Sequence, residues 1–243
     1  RCVLTNVTSA MGVISIMGPN ARELLQSLTP DDLSHEAFPF ANSREIELGY
    51  AVVRASRITY VGELGWELYI PTEFTAGVYD TIVAAGEPFG LAHAGYHALD
   101  SLRIEKAYRH WGHDITDEDS ALEAGLDFAV KFDKPSGFIG REALLAEREK
   151  GPARRLVQFR LTDPEPLLYH NEPIWHGDAL VGYVTSGAYG HTLGGAIGLG
   201  YVDTARAPDP GEGGFSIEVA GERVPAEASS RPMYDPGNRR VRC

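Results

Sequence analysis

The sequence predicts an α+β fold that ends in a small all-β module. Three observations predict it. Early segments with helical apolar spacing alternate with strand-like runs. The run 45–71 is rich in β-branched and aromatic residues with glycine breaks, the pattern of an antiparallel meander. From residue 153 onward only short strands and turn residues follow. The chain has 243 residues, 43% hydrophobic and 23% charged, enough for one large domain or two modest ones without a disulfide or metal staple.

The elements follow in order. "GVISIMG" (12–18) reads as a short buried strand. In "GPNARELLQSLT", Asn20 is placed to cap a helix whose apolar positions Ala21, Leu24, Leu25 and Leu28 keep helical spacing. The meander 45–71 comes next and Pro71 with Thr72 closes it. "EFTAGVYDTIVAAGEPFG" is an amphipathic helix with its stop at Gly86. "HALDSLRIEKAYRHWG" predicts a helix over 97–112, with Leu99, Leu102, Ile104 and Tyr108 on its apolar face. "FIGREALLAEREKG" (138–151) is a short helix closing on Gly151. The change of texture between Lys150 and Arg154 puts a domain boundary there: 1–150 is an α+β region and 151–243 a small β sandwich or barrel.

Composition excludes several function classes. The net charge is -12 and the pI near 5.1, with only short basic clusters, so no nucleic-acid partner is expected. No apolar run approaches the roughly 18 residues that would span a bilayer. The two cysteines, Cys2 and Cys243, form neither a disulfide framework nor a zinc motif and read as free thiols. Such a chain suits the cytoplasm or the mitochondrial matrix equally. No signal peptide is visible and the first residue is not methionine, so the sequence reads as processed or as a piece of a longer chain.

The densest chemistry lies in "YVGELGWELY" (60–69). If residues 62–65 form a four-residue turn, Tyr60 lies opposite Glu67 and Val61 opposite Trp66. Alternation then puts Tyr60, Glu67 and Tyr69 on one face, with Ile58 opposite Tyr69, and puts Val61, Trp66 and Leu68 on a core face. A carboxylate between tyrosines suits a planar group with two parallel N–H donors. Arginine is one such group, and the 2-amino, N3–H edge of a pterin or guanine is another. Three readings of Glu67 stay open here: a solvated sheet residue, a partner of Arg54 or Arg57, or a ligand contact. Glu63 reads as a solvated turn residue. His110 and His113 lack a third ligand at motif spacing, so loop packing explains them and no metal site is expected.

"YVGELGWELYIP", "ALDSLRIEKAYRHWGHDIT", "LEAGLDFAVKFDK", "FIGREAL" and "GYVTSGAYGHTLGGAIGLGYVD" together resemble the folate-binding glycine cleavage T-protein (aminomethyltransferase) family. They are most similar to its branch at the C-terminal end of sarcosine and dimethylglycine dehydrogenases. The resemblance implies a folate-binding α+β region followed by a C-terminal β-barrel. It implies tetrahydrofolate as ligand, held by Tyr60, Glu67, Leu68, Tyr69 and Phe128, and an upstream flavin (FAD) domain as partner. It places the family's catalytic aspartate in a stretch that precedes "GVISIMGPNARELL", so no catalytic residue is assigned within the chain. Leu99 stands where stand-alone T-proteins carry an arginine, whereas Arg103 is kept and reads best as the partner of a helical neighbour. The alternative reading is a non-catalytic module that binds a small ligand or only packs against its flavin partner.

Overall fold

A computed structural model describes residues 1–207 and 209–243. The chain forms two compact units, one of residues 1–95 with 237–243 and one of residues 96–236.

The first unit is a four-stranded antiparallel sheet with helices on one face. Its strands are β1 (Met11–Met17), β2 (Ser43–Leu48), β3 (Ala51–Ser56) and β4 (Gly65–Pro71), in the order β1-β4-β3-β2. The expected meander is present as β2, β3 and β4. Helices α1 (Ala21–Gln26) and α2 (Thr72–Gly86) cover the inner face. There Leu24, Leu25, Val53, Trp66, Leu68, Ile70, Val78 and Ile82 share one core. Burial of that apolar surface is what holds the sheet against the helices. A short terminal helix, Arg239–Arg242, belongs to the same unit.

Three local expectations are corrected in this unit. β1 is an edge strand, not a buried one: helices cover only one sheet face, and Val13 on the other face is exposed. Asn20 does not cap α1; its amide donates instead to the Phe89 carbonyl at 3.0 Å. The four-residue turn at 62–65 does not form, because β3 already ends at Ser56 and residues 57–64 make a longer loop. The cause is Arg57. Its N–H donates to the Asn42 carbonyl and its carbonyl accepts from Ala41 N–H, both at 2.9 Å. Its guanidinium turns inward and donates to the Phe38 carbonyl at 2.7 Å. Ser56 therefore faces Glu67 and Arg54 faces Tyr69. Tyr60, Ile58 and Val61 lie in the loop, outside the ladder.

The second unit is a closed six-stranded barrel preceded by two helices of equal length. Its strands are β5 (Arg154–Leu161), β6 (Pro173–His176), β7 (Ala179–Gly190), β8 (Gly195–Asp203), β9 (Phe215–Val219) and β10 (Glu222–Ser229), closing in the order β10-β5-β8-β7-β6-β9. Glycine lets two strands approach: a Cβ on Gly182 would sit 1.7 Å from the Tyr201 carbonyl oxygen. Helix α3 (Tyr96–Glu105) packs on β7, and α4 (Arg141–Lys150) ends at Gly151, whose φ is +84°.

The helix expected over 97–112 stops at Glu105. Ala107 takes the left-handed conformation at φ 55°. The barrel also captures the last carbonyls of α3. Gln158 Nε2 donates to the Ile104 carbonyl at 2.6 Å and to the Glu105 carbonyl at 2.9 Å, and its Oε1 accepts from Met233 N–H at 2.7 Å. Gln158 is buried, so Gln158→Leu leaves the Met233 N–H without its acceptor and takes one donor from each of the two carbonyls, which keep the N–H groups of Ala107 and Tyr234. We expect it to lower the stability of this unit by about 1–3 kcal/mol, measured by urea denaturation. No helix among the described residues is long and apolar enough to cross a membrane.

Candidate ligand-binding face

Helices leave the outer face of the first sheet open, and the register aligns its residues in rows. One row reads Ser15, Glu67, Ser56, Ser43 across the four strands, and the next reads Val13, Tyr69, Arg54, Glu45. On β4 itself, two residues before Glu67 on the same face, stands Gly65. Glu67 is thus bordered by Ser15, Ser56 and Gly65, all small. Tyr69 rises beside it on β4, and the Met17 side chain of β1 lies over Gly65.

Tyr69 fixes that carboxylate. Its hydroxyl donates to Glu67 Oε2 at 2.8 Å. Among the described residues this is the one hydrogen bond that the Glu67 side chain makes. A carboxylate has about four acceptor positions, so most of its capacity still faces outward. Neither arginine considered from sequence pairs with it. Arg54 bonds Glu45 at 3.0 Å across β3 and β2, and Arg57 is buried against Phe38 and the Trp66 ring. The reading of Glu67 as one half of an internal ion pair is therefore set aside.

The same contact perturbs Tyr69. The hydrogen bond to Glu67 holds its phenol above the ordinary value near 10, with burial and the glutamate charge adding to the shift. A raised phenol favours the protonated form, so this contribution to stability is complete below the ordinary phenol value and is lost as pH rises through the Tyr69 titration. We expect the Tyr69 phenolate, isolated as the absorbance difference from Tyr69→Phe, to appear at lower pH in Glu67→Gln than in the unaltered chain.

The structure places the other sequence candidates as follows. Leu68 is fully buried, and its side chain points to the core face beside Trp66 and Ile70, away from Glu67. Tyr60 is half-buried in the loop 57–64. Phe128 belongs to the second unit, in a single turn of 3-10 helix at Asp127–Ala129, and is 82% exposed. Glu63 is not simply solvated: it is half-buried and lies 3.7 Å from Arg240. Arg103 does pair with its helical neighbour, Asp100, at 3.0 Å, and also with Asp114 at 2.5 Å. Among the described residues no group of three or more His, Cys, Asp or Glu is arranged to hold a metal ion. Sequence reasoning missed Ser15, Ser56 and Gly65. Alternation in "GVISIMG" and "AVVRAS" exposes both serines, but their position beside Glu67 depends on register.

Residues 1–134 match the GCVT N-terminal domain, and residues 154–235 match the glycine cleavage T-protein C-terminal barrel domain. The chain is 43% identical over 97% of its length to 4-methylaminobutanoate oxidase (formaldehyde-forming) of Paenarthrobacter nicotinovorans. It is 41% identical over its full length to mitochondrial sarcosine dehydrogenase of Homo sapiens. It spans only 28% and 27% of those two proteins. Among solved structures, the glycine cleavage system aminomethyltransferase T of Bartonella henselae shares the fold, with a TM-score of 0.79 at 24% identity over 92% of this chain and 60% of that one. With family domains matched along most of its length, the chain belongs to the glycine cleavage T-protein family, in the form found within sarcosine dehydrogenase and its relatives.

Proposed function

We propose that this chain is the tetrahydrofolate-binding, one-carbon-transfer portion of a flavin-dependent N-methylamine dehydrogenase such as a sarcosine or dimethylglycine dehydrogenase. The observation that carries the reading is the outward-facing Glu67 carboxylate, held by Tyr69 and flanked across the sheet by the small residues Ser15 and Ser56. A pterin presents a 2-amino group and an adjacent N3–H as parallel donors. A carboxylate accepts both at once, and the small neighbours leave room for a flat ring above the strands.

Each residue then has a distinct task. Glu67 accepts the two N–H groups and so fixes the ring's rotation. Tyr69 holds the carboxylate in one orientation, a positioning role, and its ring offers an apolar edge that excludes water. Leu68 anchors the strand from the core side. Tyr60 and Phe128 are further folate contacts that the family likeness suggests. When bound, tetrahydrofolate supplies the amines that accept a carbon at the oxidation level of formaldehyde. Precise placement of those amines is catalysis by positioning. The flavin (FAD) belongs to the upstream dehydrogenase part of the longer protein, which is the expected partner.

Calorimetric titration of tetrahydrofolate into this chain, and into a version extended at its N-terminus, tests the proposal. We expect saturable binding at one site in at least the extended form. Absence of binding in both would overturn it and favour a module that only packs against a flavin partner.

A further inference from the structure

Residues 237–243 fold back onto the first unit as a strap. Asn238, with a φ of 55°, starts the short helix Arg239–Arg242. Three contacts fasten this segment. Val241 is 2% exposed. The Cys243 carbonyl accepts from Arg22 Nη2 at 2.6 Å and from Arg57 Nη2. Arg240 Nη1 lies 3.7 Å from Glu63 Oε2.

Two of these contacts fall on the loop 57–64. Arg57 opens that loop, Glu63 stands one residue before its end, and Tyr60 lies between them. The loop joins Ser56, which faces Glu67 across the ladder, to Gly65 at the head of β4. It therefore closes the end of the sheet beside the Glu67 carboxylate.

The ends of the loop are pinned by backbone bonds. Arg57 N–H donates to the Asn42 carbonyl at 2.9 Å, and Gly18 N–H donates to the Leu64 carbonyl at 2.8 Å. The stretch between is held less firmly by its own contacts. Val61 N–H donates to the Thr59 hydroxyl at 3.2 Å, which ties the loop only to itself. The Thr59 hydroxyl donates to Met17 Sδ at 3.6 Å, and a thioether is a weak acceptor. Gly62 takes a φ of +78°, and glycine is the residue that loses most freedom when it is fixed.

The strap supplies a tie from outside. The Arg240–Glu63 pair is partly exposed and contributes little alone. Burial of Val241 and the charge-assisted bonds to the Cys243 oxygen supply most of the hold. Arg57 needs that oxygen. It is buried and its Nε has no hydrogen-bond partner, so loss of the strap would leave a second guanidinium nitrogen short of an acceptor.

We infer that Val241 and Arg240 are positioning residues for the Glu67 face: they hold the loop 57–64 in one conformation and so fix where Tyr60 stands at that end of the sheet. The inference rests on the tetrahydrofolate reading of the face, in which Tyr60 is a ligand contact. Both residues act through the loop. A loop ordered in advance spares the ligand the entropic cost of ordering it on binding.

Two measurements on Val241→Asp in the full 243-residue chain test this. Val241 lies outside the main core of the unit, so the sheet should survive the change. Backbone hydrogen exchange, read without ligand, should be about tenfold faster over residues 58–63 and unchanged over β4. Calorimetry should show tetrahydrofolate binding about fivefold to tenfold weaker. In a Tyr60→Ala background, Val241→Asp should weaken binding no further, because the strap acts through Tyr60. Should Val241→Asp unfold the unit, Arg240→Glu reads the same quantities more mildly, and adding Glu63→Arg should restore them. Unchanged exchange over 58–63, acceleration spread equally through β4 in the folded variant, an affinity loss that persists in Tyr60→Ala, or no rescue by the charge swap would each overturn the inference. If the unaltered chain and its extended form bind no tetrahydrofolate, the folate reading fails by itself and hydrogen exchange decides whether the strap holds the loop.

Discussion

Trp66→Ala is expected to destabilise the first unit by about 3–5 kcal/mol, the range for emptying a buried aromatic site. Trp66 is fully buried at the centre of that core. Phe38 meets it edge-on with centroids 6.1 Å apart. The guanidinium groups of Arg57 and Arg22 lie 5.7 and 5.8 Å from its ring. Arg57 is itself buried, and burial together with the charge of Arg22 lowers its affinity for a proton. The indole face is part of what makes that buried cation tolerable. Alanine would leave a cavity and remove this compensation at once. Trp66→Phe separates the two effects. It keeps an aromatic face and discards an indole N–H that has no partner in the core, so a much smaller loss is expected. Urea denaturation followed by circular dichroism measures both variants. Because Glu67 is the next residue along β4, Trp66→Ala should also loosen the carboxylate that the proposed ligand needs.

Asp114→Ala is expected to cost the second unit about 3–5 kcal/mol, the usual price of leaving a buried charge without its partner. The Asp114 side chain is fully buried and Arg103 nearly so. Alanine would remove an acceptor from Arg103 Nη1, the His110 N–H and the Thr185 hydroxyl at once, although Nη1 keeps the Tyr108 carbonyl at 3.3 Å and the hydroxyl keeps the Leu199 carbonyl at 3.1 Å. Asp100 stays within reach of Arg103 Nε, which keeps the loss toward the lower end of that range. The pairing is tested by a double-mutant cycle with Arg103→Met. If the buried charge drives the loss, the double variant will be more stable than Asp114→Ala alone. If loop packing drives it, the double variant will be no more stable.

Much of the architecture was legible in the residues. Alternation in "GWELYIP" placed Trp66 and Leu68 in the core and Glu67 with Tyr69 on the opposite face, and the ladder agrees. The turn-rich texture after residue 153 marked the barrel strands. What escaped was set by partners distant in sequence. Nothing near Arg57 in sequence signals that it turns inward to the Phe38 carbonyl, yet that contact moves the register and puts Ser56, not Tyr60, beside Glu67. Gln158 lies more than fifty residues beyond the helix end that it captures, so apolar spacing alone overextended α3 through Tyr108. β1 looked buried because its sequence carries apolar residues on both faces, whereas its position at the sheet edge depends on topology.

The central claim is that Glu67 accepts the paired N–H groups of a pterin. Its most direct test is the affinity of the chain for tetrahydrofolate before and after Glu67→Ala, measured by calorimetry with Tyr69→Phe alongside. Losing charge-assisted hydrogen bonds should weaken binding by about tenfold to a hundredfold, while Tyr69→Phe, which only frees the carboxylate to rotate, should weaken it less. Affinity unchanged by Glu67→Ala would contradict the account.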